Sequence, residues 1–352
     1  MTRFSLPPRL VDWTILAVVL FQVASGVVSF SAGRPSQRAV FVVHGMAGLT
    51  LVVLLAWKLW RVRRRLTGRW TRRTAFSALL AVVALGALGT GVAWVVGADV
   101  AVLAWNLLNL HVFLGLVLVP LVAVHLAYRW RTPTVRDVRQ RRTVLALVGL
   151  AAFGSLAWSV QQAASALLGT PGADRRFTGS SEADSLSGNR FPATSWVADD
   201  PDPVDAADWS LRVHGAVERD LHLDYDDVLA AGAGERATLD CTSGWYSVQD
   251  WTGVRVGDLL DEAGATPAAR WVQFRSVTGY RWSLPVAEAR NALLATHVGE
   301  ERLSHAHGFP VRLVAPGRRG FQWVKWVESV ELAATRDASE YLAIFTSGFG
   351  DR

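Results

Sequence analysis

Five apolar runs of about 20 residues fill almost all of the first half of the chain, and no other feature constrains its fold as much. They cover Val11–Phe30, Ala39–Trp60, Phe76–Val96, Leu107–Tyr128 and Val144–Leu168. A helix needs about 20 residues to cross the hydrocarbon core of a bilayer, where the backbone must satisfy its own polar groups. The runs therefore predict an all-α transmembrane bundle of five spans. Trp57, Trp60, Trp94, Trp105 and Trp130 stand near the span ends, as interfacial anchors do. The charges agree with this reading. Before Gly169 the acidic residues are Asp12, Asp99 and Asp137, whereas arginines crowd Arg61–Arg73 and Arg129–Arg142. By the positive-inside rule both loops and the N-terminus are cytoplasmic, and an odd number of spans puts the C-terminal part outside. The net charge of +6 thus orients a plasma-membrane protein and does not point to nucleic acid.

Polar groups inside a bilayer are costly, so three intramembrane histidines call for an explanation. His44 lies near the start of the second span, and His111 and His125 lie in the fourth. The second and fourth spans run the same way, and at 1.5 Å per residue His44 and His111 fall within about one turn of the same depth. Gly48 and Gly115, each four residues further on, leave room for a flat ring. Two facing neutral imidazoles are what a b-type haem requires, the alternative being a hydrogen-bonded histidine pair. His125 follows His111 by fourteen residues, while the matching position after His44 is Lys58. A second haem would therefore use His125 with a deprotonated Lys58. Otherwise Lys58 snorkels to the cytoplasmic interface, and His125 faces a quinone or caps the bundle. The two segments, HGMAGLTLVVLLAWK and HVFLGLVLVPLVAVH, resemble helices of cytochrome b561-type and formate dehydrogenase gamma-type membrane subunits. That resemblance implies one or two haems and exchange with the quinone pool.

Residues 169–189, rich in Gly, Ser and charge, predict a linker between the 1–168 membrane domain and a second domain over 190–335, with a tail over 336–352. In the second domain short β-rich runs (WSLRVHGAV, RWVQFRSV, FPVRLVA) alternate with helical pieces (YDDVLAAGA, VRVGDLLDEAG), a pattern that predicts a mixed α+β fold. His214 and His222 fall in a strand pair and read as structural. The chain's single cysteine, Cys241, sits here in TLDCTSGW. A lone thiol cannot form an internal disulfide, so it is inert packing, a nucleophile or a metal ligand.

TLDCTSGW and HGFPVRLVAPGRRGFQWVKW together resemble the cysteine loop and cofactor-binding segment of the sulfite oxidase-type molybdopterin domain, over roughly Phe191–Ala334. The resemblance implies that Cys241 binds molybdenum through its thiolate. His307, Arg312 and Lys325 fall where that family binds the pterin, with Arg318, Arg319 and Gln322 on the intervening loop. Gly279 and Tyr280 match a third cofactor loop, and Asn189, in GNRFPATSW, opens the domain against the pterin. The chain departs from the sulfite oxidase pattern at Gly188-Asn189-Arg190, where an arginine precedes an asparagine-histidine pair in that family. It departs also near Phe349, where a substrate-pocket tyrosine is expected. A doubly charged sulfite would lose polar partners there.

These features predict a membrane-anchored, molybdopterin-dependent oxidoreductase acting outside the cytoplasm on a sulfoxide-like or other oxygenated small molecule. It would draw on quinol through haem b or on a separate electron-transfer protein. A sulfite-oxidising enzyme of the same fold and a metal-free tethered binding module are the alternatives. Arg141-Arg142 before the fifth span resembles a twin-arginine export signal, although a positive-inside cluster reads the same way.

Overall fold

The structure is a computed structural model, which describes residues 7–66, 70–98, 100–102, 105–129, 141–195 and 199–348. It divides into two compact units, Met1–Gly179 and Ser180–Arg352.

The first unit is built from α1 (Pro8–Ser29), α2 (Arg38–Leu66), α3 (Arg72–Val95), α4 (Leu107–Arg129) and α5 (Arg141–Leu168). All five are long and apolar enough to cross a membrane. Pro7 and Pro8 set the start of α1, where a missing N–H costs nothing, and Thr71 caps α3 by accepting from Thr74 N at 3.2 Å. Leu10, Val11, Ile15, Leu51, Leu54, Leu55, Val83 and Leu118 make an inner seam. The other faces stay apolar but exposed, as at Val28, Val82, Leu116, Val148 and Leu156. An exposed apolar surface of that extent suits lipid better than water. The α2–α5 contact depends on Gly154, where a Cβ would stand 2.2 Å from Thr50 Oγ1 and 2.6 Å from the Met46 carbonyl. Small residues at such crossings let the helix backbones approach. A short hairpin, β1 (Ala101–Val102) with β2 (Trp105–Asn106), precedes α4. Residues 130–140, part of the arginine loop before α5, lie outside the described residues, as does the side chain of Arg142 in the expected export signal.

The expected linker divides between the two units. Residues 170–179 pack on the helices: Trp94 Nε1 donates to the Gly179 carbonyl at 3.0 Å, Arg175 lies 3.7 Å over the Trp94 ring, and Phe177 meets Phe41 edge-on. The segment runs through turns, with Ala173 N donating to the Thr170 carbonyl and Gly179 N to the Arg176 carbonyl. Beyond it, β3 (Ser181–Glu182) joins the second unit.

That unit holds two sheets. The first carries β3, β6 (Ala233–Asp240), β7 (Trp245–Arg255), β10 (Leu293–Val298), β11 (Glu301–Arg302) and β12 (Arg312–Val314). The second runs in the order β5 (Leu221–Leu223), β4 (Leu211–Gly215), β13 (Val327–Ala333), β8 (Trp271–Ser276), β9 (Arg281–Pro285). Helices α6 (Tyr225–Leu229), α7 (Val256–Glu262) and α8 (Val286–Ala289) lie between strands. One core of fully buried Trp251, Trp282, Phe274, Leu294, Leu313 and Val330 fills this mixed α/β domain. His214 and His222 do fall on the paired strands β4 and β5, with His214 Nε2 2.9 Å from Ser329 Oγ. The tail forms α9 (Glu340–Thr346), held by the buried Glu340 carboxylate, which accepts from Ser283 N at 2.9 Å and pairs with Arg336. Phe349 lies outside the described residues.

Candidate active site

Cys241 stands at the tip of the β6–β7 hairpin. The turn closes through Cys241 N to the Trp245 carbonyl at 2.9 Å and Gly244 N to the Cys241 carbonyl at 3.2 Å. Thr-Ser-Gly is suited to such a turn, and Gly244 takes the positive φ of +98° that it requires. The thiol is 7% exposed, with Ser243 Oγ 3.0 Å away. Arg319 clamps this tip from the other loop. Its Nη1 donates to Asp240 Oδ1 at 2.8 Å and its Nη2 to the Cys241 carbonyl at 3.0 Å, while Ser180 Oγ also donates to Asp240. The next residue, Gly320, packs so closely that a Cβ there would be 3.1 Å from Cys241 Cα.

Two further cations converge on the thiol. Arg312 opens β12 and is buried; its Nη1 donates to the His307 carbonyl at 2.9 Å, and it lies 5.4 Å from the Trp251 ring centroid. Burial pushes its pKa down to about 10 against the pull of Cys241. Lys325 Nζ donates to Ser195 Oγ at 2.6 Å and to the Ala306 carbonyl at 3.0 Å. Burial, then the charge of Arg312, bring it down to about 8, offset by Asp199, Asp200 and Cys241. Among the described residues, none of the ion pairs involves Arg312 or Lys325, whereas Arg319 is paired with Asp240. Arg312 Nε and Gln322 Nε2 are buried donors with no acceptor among the described residues. Buried charge without a counter-charge is expensive. This donor set therefore fits an anionic, acceptor-rich group held next to a soft sulfur.

The other expected residues serve the walls. His307 uses both ring nitrogens on the protein, Nδ1 with Ser304 Oγ at 2.7 Å and Nε2 with the Phe191 carbonyl at 2.8 Å. Asn189 is similarly committed: its Nδ2 donates to Glu301 and the Arg302 carbonyl, and its Oδ1 accepts from Ser304 N. These bonds seat residues 189–191 beside the site. Tyr280 Oη donates to the Phe321 carbonyl at 2.5 Å, and Gln322 Oε1 accepts from Arg319 N, so both shape the Arg319 loop. Gly279, with φ of +81°, turns the β8–β9 connection. Arg318 forms a two-point ion pair with Glu288 (2.5 and 2.7 Å) and faces away from ligand duty. Sequence reasoning missed Asp240, though it adjoins Cys241. It missed Ser195 and Ser304, whose hydroxyls carry no distinguishing pattern. It missed also Asp199, a buried carboxylate raised by desolvation and bonded by Thr278 Oγ1.

Burial holds His307 neutral, its pKa lowered to about 4 from 6.5. The unfolded state binds the proton first, so stability is complete above pH 6.5 and falls as pH drops toward 4. The full loss is about 3 kcal/mol, of which about 2 kcal/mol is gone by pH 5. Denaturant midpoints of the purified protein at pH 7.5 and 5.0 should show this, and His307→Asn should flatten the difference.

Comparison with known proteins bears on the same part of the chain. Residues 198–341 match the sequence model of the oxidoreductase molybdopterin binding domain. An uncharacterized oxidoreductase of Bacillus subtilis (strain 168), YuiH, is 31% identical over 139 residues, 38% of this chain and 70% of that protein. The chain belongs to the molybdopterin-binding oxidoreductase family. It is also 30% identical over 166 residues to the protein-methionine-sulfoxide reductase catalytic subunit MsrP of Gluconobacter oxydans (strain 621H), covering 41% of this chain and 52% of that one. The chain therefore spans about half the length of that relative. Among solved structures, the sulfane dehydrogenase SoxCD of Paracoccus pantotrophus matches at 26% identity and a TM-score of 0.37, over 38% of this chain and 40% of that one. The molybdopterin domain thus coincides with the unit that carries Cys241, Arg312 and Lys325, and the protein is an oxidoreductase.

Proposed function

We propose that the protein is a membrane-anchored molybdenum oxidoreductase that passes electrons from quinol, through one b-type haem, to a sulfoxide-like or other oxygenated substrate outside the cytoplasm. The observation that carries this reading is the buried thiol of Cys241 beside two buried cations, Arg312 and Lys325, neither of which forms an ion pair among the described residues. Bound there, molybdenum would supply two-electron oxygen-atom exchange. The chain's own residues do the rest. Cys241 gives the soft ligand, Arg312 and Lys325 neutralise the anionic pterin and keep water out, and Arg319 with Asp240 holds the ligand tip still. Asn189 and His307 set the wall that the substrate passes. For a sulfoxide the balance is two electrons and two protons in, with thioether and water out. Likeness to the MsrP subunits, which are named as methionine-sulfoxide reductases, favours this reductive direction over sulfite oxidation.

The membrane half is supported by the five apolar helices, their exposed apolar faces and the arginine distribution. Haem is supported by His44 on α2 and His111 on α4, whose ring centroids are 6.0 Å apart. At the position matching His125 the α2 helix offers Lys58, whose ammonium lies 3.2 Å from Asp12. An ion-paired ammonium has no lone pair for iron, so one haem is the reading. The glycine arrangement is more specific than the repeat suggests. Gly115 faces open space, but a Cβ at Gly48 would meet Gln22 Nε2 at 3.0 Å.

Metal analysis and a reduced-minus-oxidised optical spectrum test the reading. Molybdenum near one per chain and a b-type band are expected. The band should vanish in His44→Ala and in His111→Ala and persist in His125→Ala. Reduced protein should be reoxidised by methionine sulfoxide and left reduced by sulfate. Absence of molybdenum would leave the tethered binding module as the better account.

A further inference from the structure

The two imidazoles of the helical unit are held by neighbours that determine which ring nitrogen carries the proton. Ser25, on α1 and 8% exposed, has its Oγ 2.7 Å from the Phe21 carbonyl, 3.2 Å from the Gln22 carbonyl and 2.8 Å from His44 Nδ1. A hydroxyl has one proton, and carbonyl oxygens only accept. Directing that proton at Nδ1 would leave two oxygens face to face at 2.7 Å with no hydrogen between them. The proton therefore goes to Phe21, and Nδ1 of His44 must donate into Ser25 Oγ. His111 Nδ1 lies 2.7 Å from the Ala87 carbonyl on α3, again a pure acceptor, so it too carries its proton at Nδ1. Both neutral rings then present a lone pair at Nε2, and their planes cross at 81°. The wall behind His111 is Gly91, where a Cβ would lie 2.9 Å from ring atoms Nδ1 and Cε1.

We propose that Ser25 and the Ala87 carbonyl are positioning groups for the haem, fixing the ligating tautomer, holding the two rings crossed and tuning the haem potential. This rests on the haem reading above. The physics is that of any ligating histidine: an acceptor on the distal N–H orients the ring and makes the ligating nitrogen a stronger donor. A stronger donor favours ferric over ferrous iron. Removing the acceptor from His44 therefore raises the midpoint potential and frees the ring to rotate.

The test is a redox titration with low-temperature electron paramagnetic resonance on the full-length protein in detergent, comparing Ser25→Ala, Ser25→Thr and Ser29→Ala. Ser29 donates to the Gly26 carbonyl on the same helix and serves as the control. Ser25→Ala should weaken the preference for ferric over ferrous iron roughly tenfold, a rise of about 59 mV for one electron. It should also move the largest g value of the low-spin ferric signal, which reads the angle between the axial ring planes. Ser25→Thr, which keeps the hydroxyl, and Ser29→Ala should stay near the unaltered protein. Loss of haem in Ser25→Ala with retention in Ser25→Thr carries the same meaning. Unchanged potential and g values in Ser25→Ala would overturn the positioning role while leaving the haem in place. Loss of haem from both Ser25 variants would overturn it too. An unaltered protein without a b-type spectrum would overturn the haem reading and the positioning role together.

Discussion

Cys241→Ser should lower turnover by about three orders of magnitude, equivalent to about 4 kcal/mol of transition-state stabilisation at 1.36 kcal/mol per decade. Serine is nearly isosteric with cysteine, and the hairpin that presents it is closed by backbone bonds from Cys241 and Gly244 that do not involve the sulfur. The Arg319 clamp grips Asp240 and the Cys241 carbonyl, so it too survives the change. The folded domain should therefore keep its stability within about 1 kcal/mol. On the proposed reading, what would be lost is the soft sulfur ligand for molybdenum, since a serine hydroxyl is hard. Turnover with a reduced dye and methionine sulfoxide, taken with molybdenum content and circular dichroism, checks the prediction. A variant with undiminished turnover would remove Cys241 from the chemistry.

The second large effect has opposite signs for folding and for cofactor retention. Arg312 is 4% exposed, bonded through Nη1 to one carbonyl, with Nε lacking an acceptor among the described residues. Without an anion beside it the guanidinium is a desolvated charge whose cost is only partly offset by the ring of Trp251. Arg312→Met keeps much of the volume and removes that cost. The cofactor-free domain should then be as stable as the unaltered one within about 1 kcal/mol, or slightly more stable. Retention of an anionic cofactor should fall roughly 30-fold or more, because truncating one partner of a buried charge pair costs about 2–5 kcal/mol. Thermal melting of the apoprotein and bound pterin per chain after dialysis measure the two halves separately. A stable apoprotein with full cofactor retention would show that Arg312 merely packs between tryptophans.

How much of this was legible beforehand differs between the two units. Apolar runs of about 20 residues leave a chain few options, and the five helices α1–α5 cover the five predicted runs except for the last residues Phe30 and Val96, while α2 extends to Leu66. Strands β4, β8 and β12 fall within the β-rich runs, because alternating buried residues such as Leu211 and Val213 leave a period-two trace. Gly and Ser disfavour long regular elements but do not prevent packing, and residues 170–179 of the expected linker pack through Trp94, Phe41 and Arg175.

The site was half legible. Cys241, Arg312 and Lys325 could be marked from the motif alone. That His307 would bond the Phe191 carbonyl, and Asn189 would bond Glu301 and Ser304, could not, since those partners stand more than a hundred residues away along the chain. The pairing of Lys58 with Asp12 and of His44 with Ser25 was hidden in the same way.

Local composition and periodicity determined which segments are helices, which are strands, and which residue types are available for redox chemistry. Those properties are set within a few residues, by hydrophobicity and turn preference. Only the tertiary structure decided which cations around Cys241 have no ion pair among the described residues, and which groups stand against Nδ1 of His44 and His111. Each depends on hydrogen-bond partners brought from distant parts of the chain, and a hydrogen bond is decided over a few tenths of an ångström that no residue spacing encodes.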